Sequence, residues 1–137
     1  MKIFVLEDNP DRMSFFSSIC LKHDLVMTNN VVMARNILEH QKFDYMFLDH
    51  DLGGEVYVSS SEPNTGNYMC KHMPETLNAD VPVLIHSWNC DGAKNMKDTL
   101  DMNGHSGIVE CVMFMTDEFN IRIREIFCIE KEKNEKT

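Results

Sequence analysis

Five short apolar runs, KIFVL (2–6), LVMT (25–28), YMFL (45–48), VPVLIHS (81–87) and GIVECVMF (107–114), are each followed by a stretch whose apolar residues recur at helical spacing. This alternation constrains the fold more than any other feature. Strands that alternate with helices lie parallel, because each helix carries the chain back to the edge where it began, and such sheets are covered on both faces. The prediction is a doubly wound α/β domain over residues 1–130, with 131–137 a charged, solvated tail.

The helix boundaries follow from capping chemistry. Asn9 caps a first helix with Pro10 at its first position, running to about Lys22 with Met13, Phe16, Ile19 and Cys20 on one face. Asn29 or Asn30 caps a second, with Ala34, Ile37 and Leu38 inward. A short helix spans about 65–72. Asn89 or Asp91 caps the next, with Ala93, Met96 and Leu100 inward and Gly104 near its end. Thr116 starts the last, which buries Phe119, Ile123, Ile126 and Phe127.

Composition narrows the function. The chain has 137 residues, enough for one core without staples. Its five cysteines are odd in number and form no CxxC pair, so a disulfide framework or zinc ribbon is poorly supported and a reducing cytoplasm fits better. They read as small core fillers, as do the eleven methionines. A net charge of −9 disfavours an extended nucleic-acid surface, where Lys and Arg must replace phosphate counterions. No apolar run is long enough for a membrane span or a signal peptide. Oligomeric state is not legible.

One motif stands out. FLDHDLGG (47–54) runs from a buried strand into three adjacent ionisable residues, Asp49, His50 and Asp51, and then a glycine pair. Carboxylates at the edge of an apolar core are costly unless solvated, hydrogen-bonded or metal-bound. In doubly wound sheets ligands bind beyond the carboxyl ends of the strands. Glu7 and Asp8, Asp49 to Asp51, and His86 to Asn89 would then gather at one place.

At these residues the sequence resembles the receiver domains of two-component response regulators. The acidic pair Glu7-Asp8, Asp49 and Ser87 match that pattern, which implies a receiver/flavodoxin-like sheet in the order 2-1-3-4-5. In receivers the acidic pair and the strand-three aspartate bind Mg²⁺, and that aspartate accepts a phosphoryl group. Two departures matter. Receivers carry a lysine directly after strand five, but here that place reads VMFMTDE, with no lysine between Lys97 and Lys131. The wording DHDLGG, a later Thr65-Gly66, and HSWNCDGAKNM (86–96) are instead similar to the receiver-like branch associated with processing cyclic phosphates. The match covers His86, Ser87, Asn89, Gly92, Ala93, Asn95 and Met96.

The residues themselves allow the following roles. Glu7, Asp8 and Asp49 supply the hard oxygen ligands that Mg²⁺, or Mn²⁺, prefers. His50 and His86 are the candidate proton carriers, since imidazole titrates near neutrality, with Asp49 beside them. Strand alternation leaves open whether His86 faces a pocket or the core. Ser87, Asn89, Asp51, Thr65 and Gly66 are candidate phosphate-binding groups, the last two at a helix start. Gly53-Gly54 and the long loop to Asn64 read as a lid or as a plain insertion. His23, His40, His72 and His105 read as surface residues, and Trp88 as packing. Three functions stay open. One is a metal-dependent phosphoesterase acting on a cyclic phosphate of an RNA end or small nucleotide. Another is an atypical receiver phosphorylated on Asp49. The third is a nucleotide-binding module without chemistry.

Overall fold

The computed structural model describes residues 1–52 and 65–128. Strand β1 (Lys2–Leu6) leads to α1 (Pro10–Ile19), β2 (Asp24–Thr28), α2 (Val31–His40) and β3 (Tyr45–Leu48). After the loop come α3 (Gly66–His72), a 3-10 turn (Met73–Glu75), β4 (Val83–Ile85), α4 (Cys90–Met102), β5 (Val109–Cys111) and α5 (Asp117–Phe127). The strands form one parallel sheet in the order β2-β1-β3-β4-β5, as the alternation and the receiver pattern predict. The Gly53-Gly54 pair, the proposed lid from 53 to 64 and the tail at 131–137 lie outside the described residues.

Side chains alternate across the sheet and so divide the core in two. Phe4, Leu6, Met46, Leu48, Val83 and Ile85 pack under α2, α3 and α4. Ile3, Val5, Phe47 and Leu84 pack under α1 and α5, where Phe16, Phe119, Ile123 and Phe127 close that side. This period of two places the residue after each strand on a definite face.

Caps sit where short polar side chains permit them. Asn9, Asn30, Thr65, Asn89 and Thr116 each accept a backbone N–H from the first turn of their helix. α1 ends at Ile19 rather than near Lys22, because the chain must turn early for Asp24 to bond to the Met1 carbonyl and open β2. β4 is shorter than its apolar run, since Pro82 has no N–H to give the ladder and Val81 bonds back to Asn78.

Five side-chain placements differ from expectation. Cys20 and Cys70 are buried, but Cys90, Cys111 and Cys128 are exposed, at a helix start, on an edge strand and at a helix end. His105 is buried rather than on the surface, donating from Nε2 to the Val81 carbonyl at 2.9 Å, and burial pushes its pKa down. Trp88 is half exposed instead of packed.

Candidate functional site

Register assembles the site. Leu6 pairs with Leu48 and Leu48 with Ile85, so the next residues, Glu7, Asp49 and His86, lie side by side at the strand ends. Backbone bonds extend the ladder one step further, from Asp49 N–H to the Leu6 carbonyl and from His86 N–H to the Leu48 carbonyl, each 3.0 Å. All three side chains are buried. Glu7, Asp8 and Asp49 each offer an oxygen, and these atoms lie within 4.8 Å of one another.

Glu7 is fully engaged. Its Oε1 accepts from His86 Nε2 at 2.8 Å and faces Arg12 Nε at 3.2 Å. Its Oε2 accepts the backbone N–H groups of Asp8 at 2.9 Å and Asn9 at 3.1 Å. Burial alone would raise its pKa, but the hydrogen bond and charge of His86, with Asn9 and Arg12, hold it below the usual value. Glu7 is therefore an ionised carboxylate in a dry place, stabilised by partners on every side.

Asp49 is the opposite case. Its Oδ1 accepts the His50 N–H at 2.9 Å, while its Oδ2 is buried and has no hydrogen-bond partner among the described residues. The nearest cationic atom is Arg12 Nη2, at 4.0 Å. Burial pushes the Asp49 pKa up to about 7, and Glu7 adds to this while His86 and Arg12 oppose it. An orphaned carboxylate oxygen beside two other hard donors suits a divalent cation, which would satisfy it and keep it ionised.

The two histidines do not share a face. His86 packs against Phe16 and Phe114, with ring centroids 5.2 and 6.1 Å away, on the α1/α5 side of the sheet. Its Nδ1 has no partner among the described residues. His50 turns the other way, toward α4. Its Nδ1 lies 2.7 Å from Asp51 Oδ1, and Asn89 Nδ2 donates to that same oxygen at 3.1 Å. Asn89 Oδ1 meanwhile caps the N–H of Gly92 at 2.9 Å. The structure thus brings Glu7, Asp8, Asp49 and His86 together, and gathers His50, Asp51 and Asn89 as a second network.

Two glycines make these contacts possible. A Cβ on Gly92 would lie 2.6 Å from the His50 ring, and one on Gly66 would lie 2.0 Å from the Asp49 carbonyl oxygen. Gly66 N–H bonds to the His50 carbonyl at 2.9 Å, and Asp51 bridges to Thr65, so α3 is tied directly to the end of β3. The Thr65 hydroxyl caps α3 by accepting the Tyr68 N–H at 3.3 Å. Ser87 Oγ accepts the Asn89 N–H at 3.1 Å. Ser87 also lines a mostly apolar cavity of about 240 Å³ between α4 and β5, with Lys94 and Lys97 among its walls.

Arg12 is the residue the sequence reading missed. Asn9 Oδ1 fixes the first turn of α1 through the N–H groups of Asp11 and Arg12, which holds Arg12 above Glu7. A signal was present. Among the described residues that follow the strand ends (7–12, 49–52, 65–66, 86–89 and 112–116), Arg12 is the one lysine or arginine.

Comparison with known proteins identifies the family and the fold. The family model of the cyclic-phosphate processing receiver domain matches residues 1–102. No curated protein matches the chain. Several solved structures share its fold. The receiver domain of a sensor histidine kinase from Pseudomonas aeruginosa, with a magnesium ion coordinated in its active-site cleft, is 16% identical, with a TM-score of 0.64 over 92% of this chain and 96% of that one. A two-component response regulator from Clostridium difficile is 14% identical, with a TM-score of 0.66 over 98% of both chains. A response regulator from Burkholderia pseudomallei, with a phosphorylated aspartic acid, a calcium ion and citrate, is 14% identical, with a TM-score of 0.59 over 98% of this chain and 75% of that one. Among the described residues no helix is long and apolar enough to cross a membrane.

Proposed function

We propose, from the premise that this chain belongs to the cyclic-phosphate processing receiver domain family, that it is a metal-dependent phosphoesterase acting on a cyclic phosphate of an RNA end or small nucleotide. The observation that carries the reading is the buried Oδ2 of Asp49, without a hydrogen-bond partner among the described residues, within the group formed with Glu7 and Asp8. Mg²⁺ or Mn²⁺ would polarise a phosphoryl oxygen and activate water there.

Each remaining step belongs to the chain. Asp8 and Asp49 would hold the ion. Glu7, whose oxygens already accept protein donors, stands behind them and orients His86 and Arg12. With Nε2–H donated to Glu7, His86 has Nδ1 as its candidate proton acceptor, and the Glu7 carboxylate would support the positive charge gained in that role. The His50–Asp51–Asn89 network braces the backbone that presents Asp49. The Ser87 hydroxyl is a neutral donor for a phosphate oxygen. The cavity beside it gives the rest of a nucleotide somewhere to lie. Five free thiols suit a reducing cytoplasmic setting.

The test is hydrolysis of a 2′,3′-cyclic nucleotide with and without Mg²⁺, in the parent and in Asp49→Asn. Metal-dependent turnover that the substitution abolishes supports the reading. Binding without cleavage at metal saturation would make the protein a binding module. A stable gain of one phosphoryl mass from acetyl phosphate, absent in Asp49→Ala, would make it a signalling receiver.

A further inference from the structure

We propose that Arg12 is the anion-binding residue of this site, gripping the phosphate through its Nη edge while Glu7 and Phe114 hold the guanidinium in place. This rests on the phosphate-processing reading above and adds the group that receives the substrate's charge. The chain is acidic overall, and three carboxylates converge where a phosphate must come. A phosphate entering that field needs a fixed cation in addition to any metal. The segment after β5 carries no lysine or arginine (VMFMT, 112–116), and Arg12 alone among the described strand-end segments supplies that charge.

Its geometry fits the task. Nε lies 3.2 Å from Glu7 Oε1, and the guanidinium carbon sits 5.7 Å from the centre of the Phe114 ring. These contacts fix the plane of the group from one side and from one face. Nη2 ends 4.0 Å from Asp49 Oδ2, too far for a hydrogen bond. The side chain retains 20% exposure, so the site mouth reaches it. A phosphate oxygen seated beside Asp49 comes within reach of Nη2. Glu7 thus anchors two different groups, His86 through Nε2 and Arg12 through Nε.

Arg12→Gln and Arg12→Lys test this against two probes, Mg²⁺ alone and inorganic phosphate added to the Mg²⁺-loaded protein, with calorimetry for the first and amide NMR shifts for the second. Removing a charge-assisted donor should weaken phosphate binding roughly 10- to 100-fold in Arg12→Gln. Mg²⁺ affinity should stay level or rise, because a competing cation has left. Arg12→Lys should recover part of the phosphate affinity, as a point charge without the fork. A residue that merely propped up Glu7 would lower both affinities together, and that result overturns the inference. Unchanged phosphate affinity in Arg12→Gln, or no phosphate binding by the parent, also overturns it. If the parent binds phosphate but no Mg²⁺, the metal reading fails alone, and the same phosphate comparison still judges Arg12. Should Arg12→Gln not fold, Arg12→Lys decides: a several-fold loss for phosphate at level Mg²⁺ affinity supports the role, and parallel losses refute it.

Discussion

Glu7 and His86 meet at 2.8 Å, both fully buried, across strand β3, which carries Asp49 at the same level of the sheet. This contact sets the character of the cluster. Glu7 has its charge shared among His86, Arg12 and two backbone N–H groups, whereas Asp49 Oδ2 has no hydrogen-bond partner among the described residues. Glu7 is thus stabilised by protein partners to a degree that Asp49 is not.

The first prediction concerns Asp49 and pH. Its pKa in the fold, about 7, lies above the ordinary 3.8. Between those values the folded protein holds a proton that the unfolded chain has lost. The contribution of Asp49 to metal-free stability must therefore fall as pH rises through this window. Asp49→Asn removes the effect. Without divalent ions it should be more stable than the parent at pH 8, by at most about 4 kcal/mol, and the difference should vanish near pH 4. Urea melts in chelator across this range measure it. Parallel pH profiles for parent and variant would refute it. With Mg²⁺ the parent should recover stability at pH 8, and its metal affinity should weaken as pH drops below 7.

Glu7 carries the opposite sign. Its pKa is held below the usual carboxylate value, so its stabilisation is complete above that value and disappears as pH falls through the lowered one. Glu7→Gln presents an amide NH₂ either to the backbone N–H groups of Asp8 and Asn9 or to His86 and Arg12, donor against donor in both cases. The variant should lose about 2–4 kcal/mol at pH 7, and part of the parent's acid sensitivity should go with it. A loss under about 0.5 kcal/mol in chemical denaturation would mean the network is not the support described.

Gly66→Ala and Gly92→Ala separate backbone from side-chain crowding. In an exposed helix either change would stabilise by up to about 1 kcal/mol. Here the Gly66 Cβ meets the Asp49 carbonyl at 2.0 Å, which cannot move without shifting Asp49. The Gly92 Cβ meets the His50 ring at 2.6 Å. Both variants should lose stability, on the order of 1–3 kcal/mol for Gly92→Ala and more for Gly66→Ala. Mg²⁺ affinity should fall in Gly66→Ala above all. A stabilised Gly66→Ala protein would contradict the packing.

The histidines should part company in kinetics. His86→Gln should lower turnover of a 2′,3′-cyclic nucleotide by roughly 10²–10⁴, the usual worth of general acid–base catalysis, with metal affinity nearly intact. His50→Gln should instead act through stability and metal affinity, since His50 is tied to Asp51 and Asn89 behind the Asp49 backbone. Equal turnover in both variants and the parent would remove the proton-transfer role from each.

The amino-acid sequence by itself determined the architecture, because period-two strands, period-3.6 helices and Asn, Thr and Pro caps are local signals that tertiary contacts here reinforce. It also brought Glu7, Asp8, Asp49 and His86 to one edge, since parallel topology places every strand's carboxyl end on the same side. The tertiary structure alone decided the faces and partners. His50 and His86 each follow a strand directly or by one residue, yet register by a single step sends one toward α4 and the other toward α1 and α5. Local pattern could not show that Glu7 spends its oxygens on groups 79 and 5 residues away while Asp49 does not. Nor could it show that Arg12, an ordinary polar residue in the first turn of a helix, lies between them. Hydrogen bonds and charges act through distance in space, and distance in space is settled only when the sheet and helices have packed.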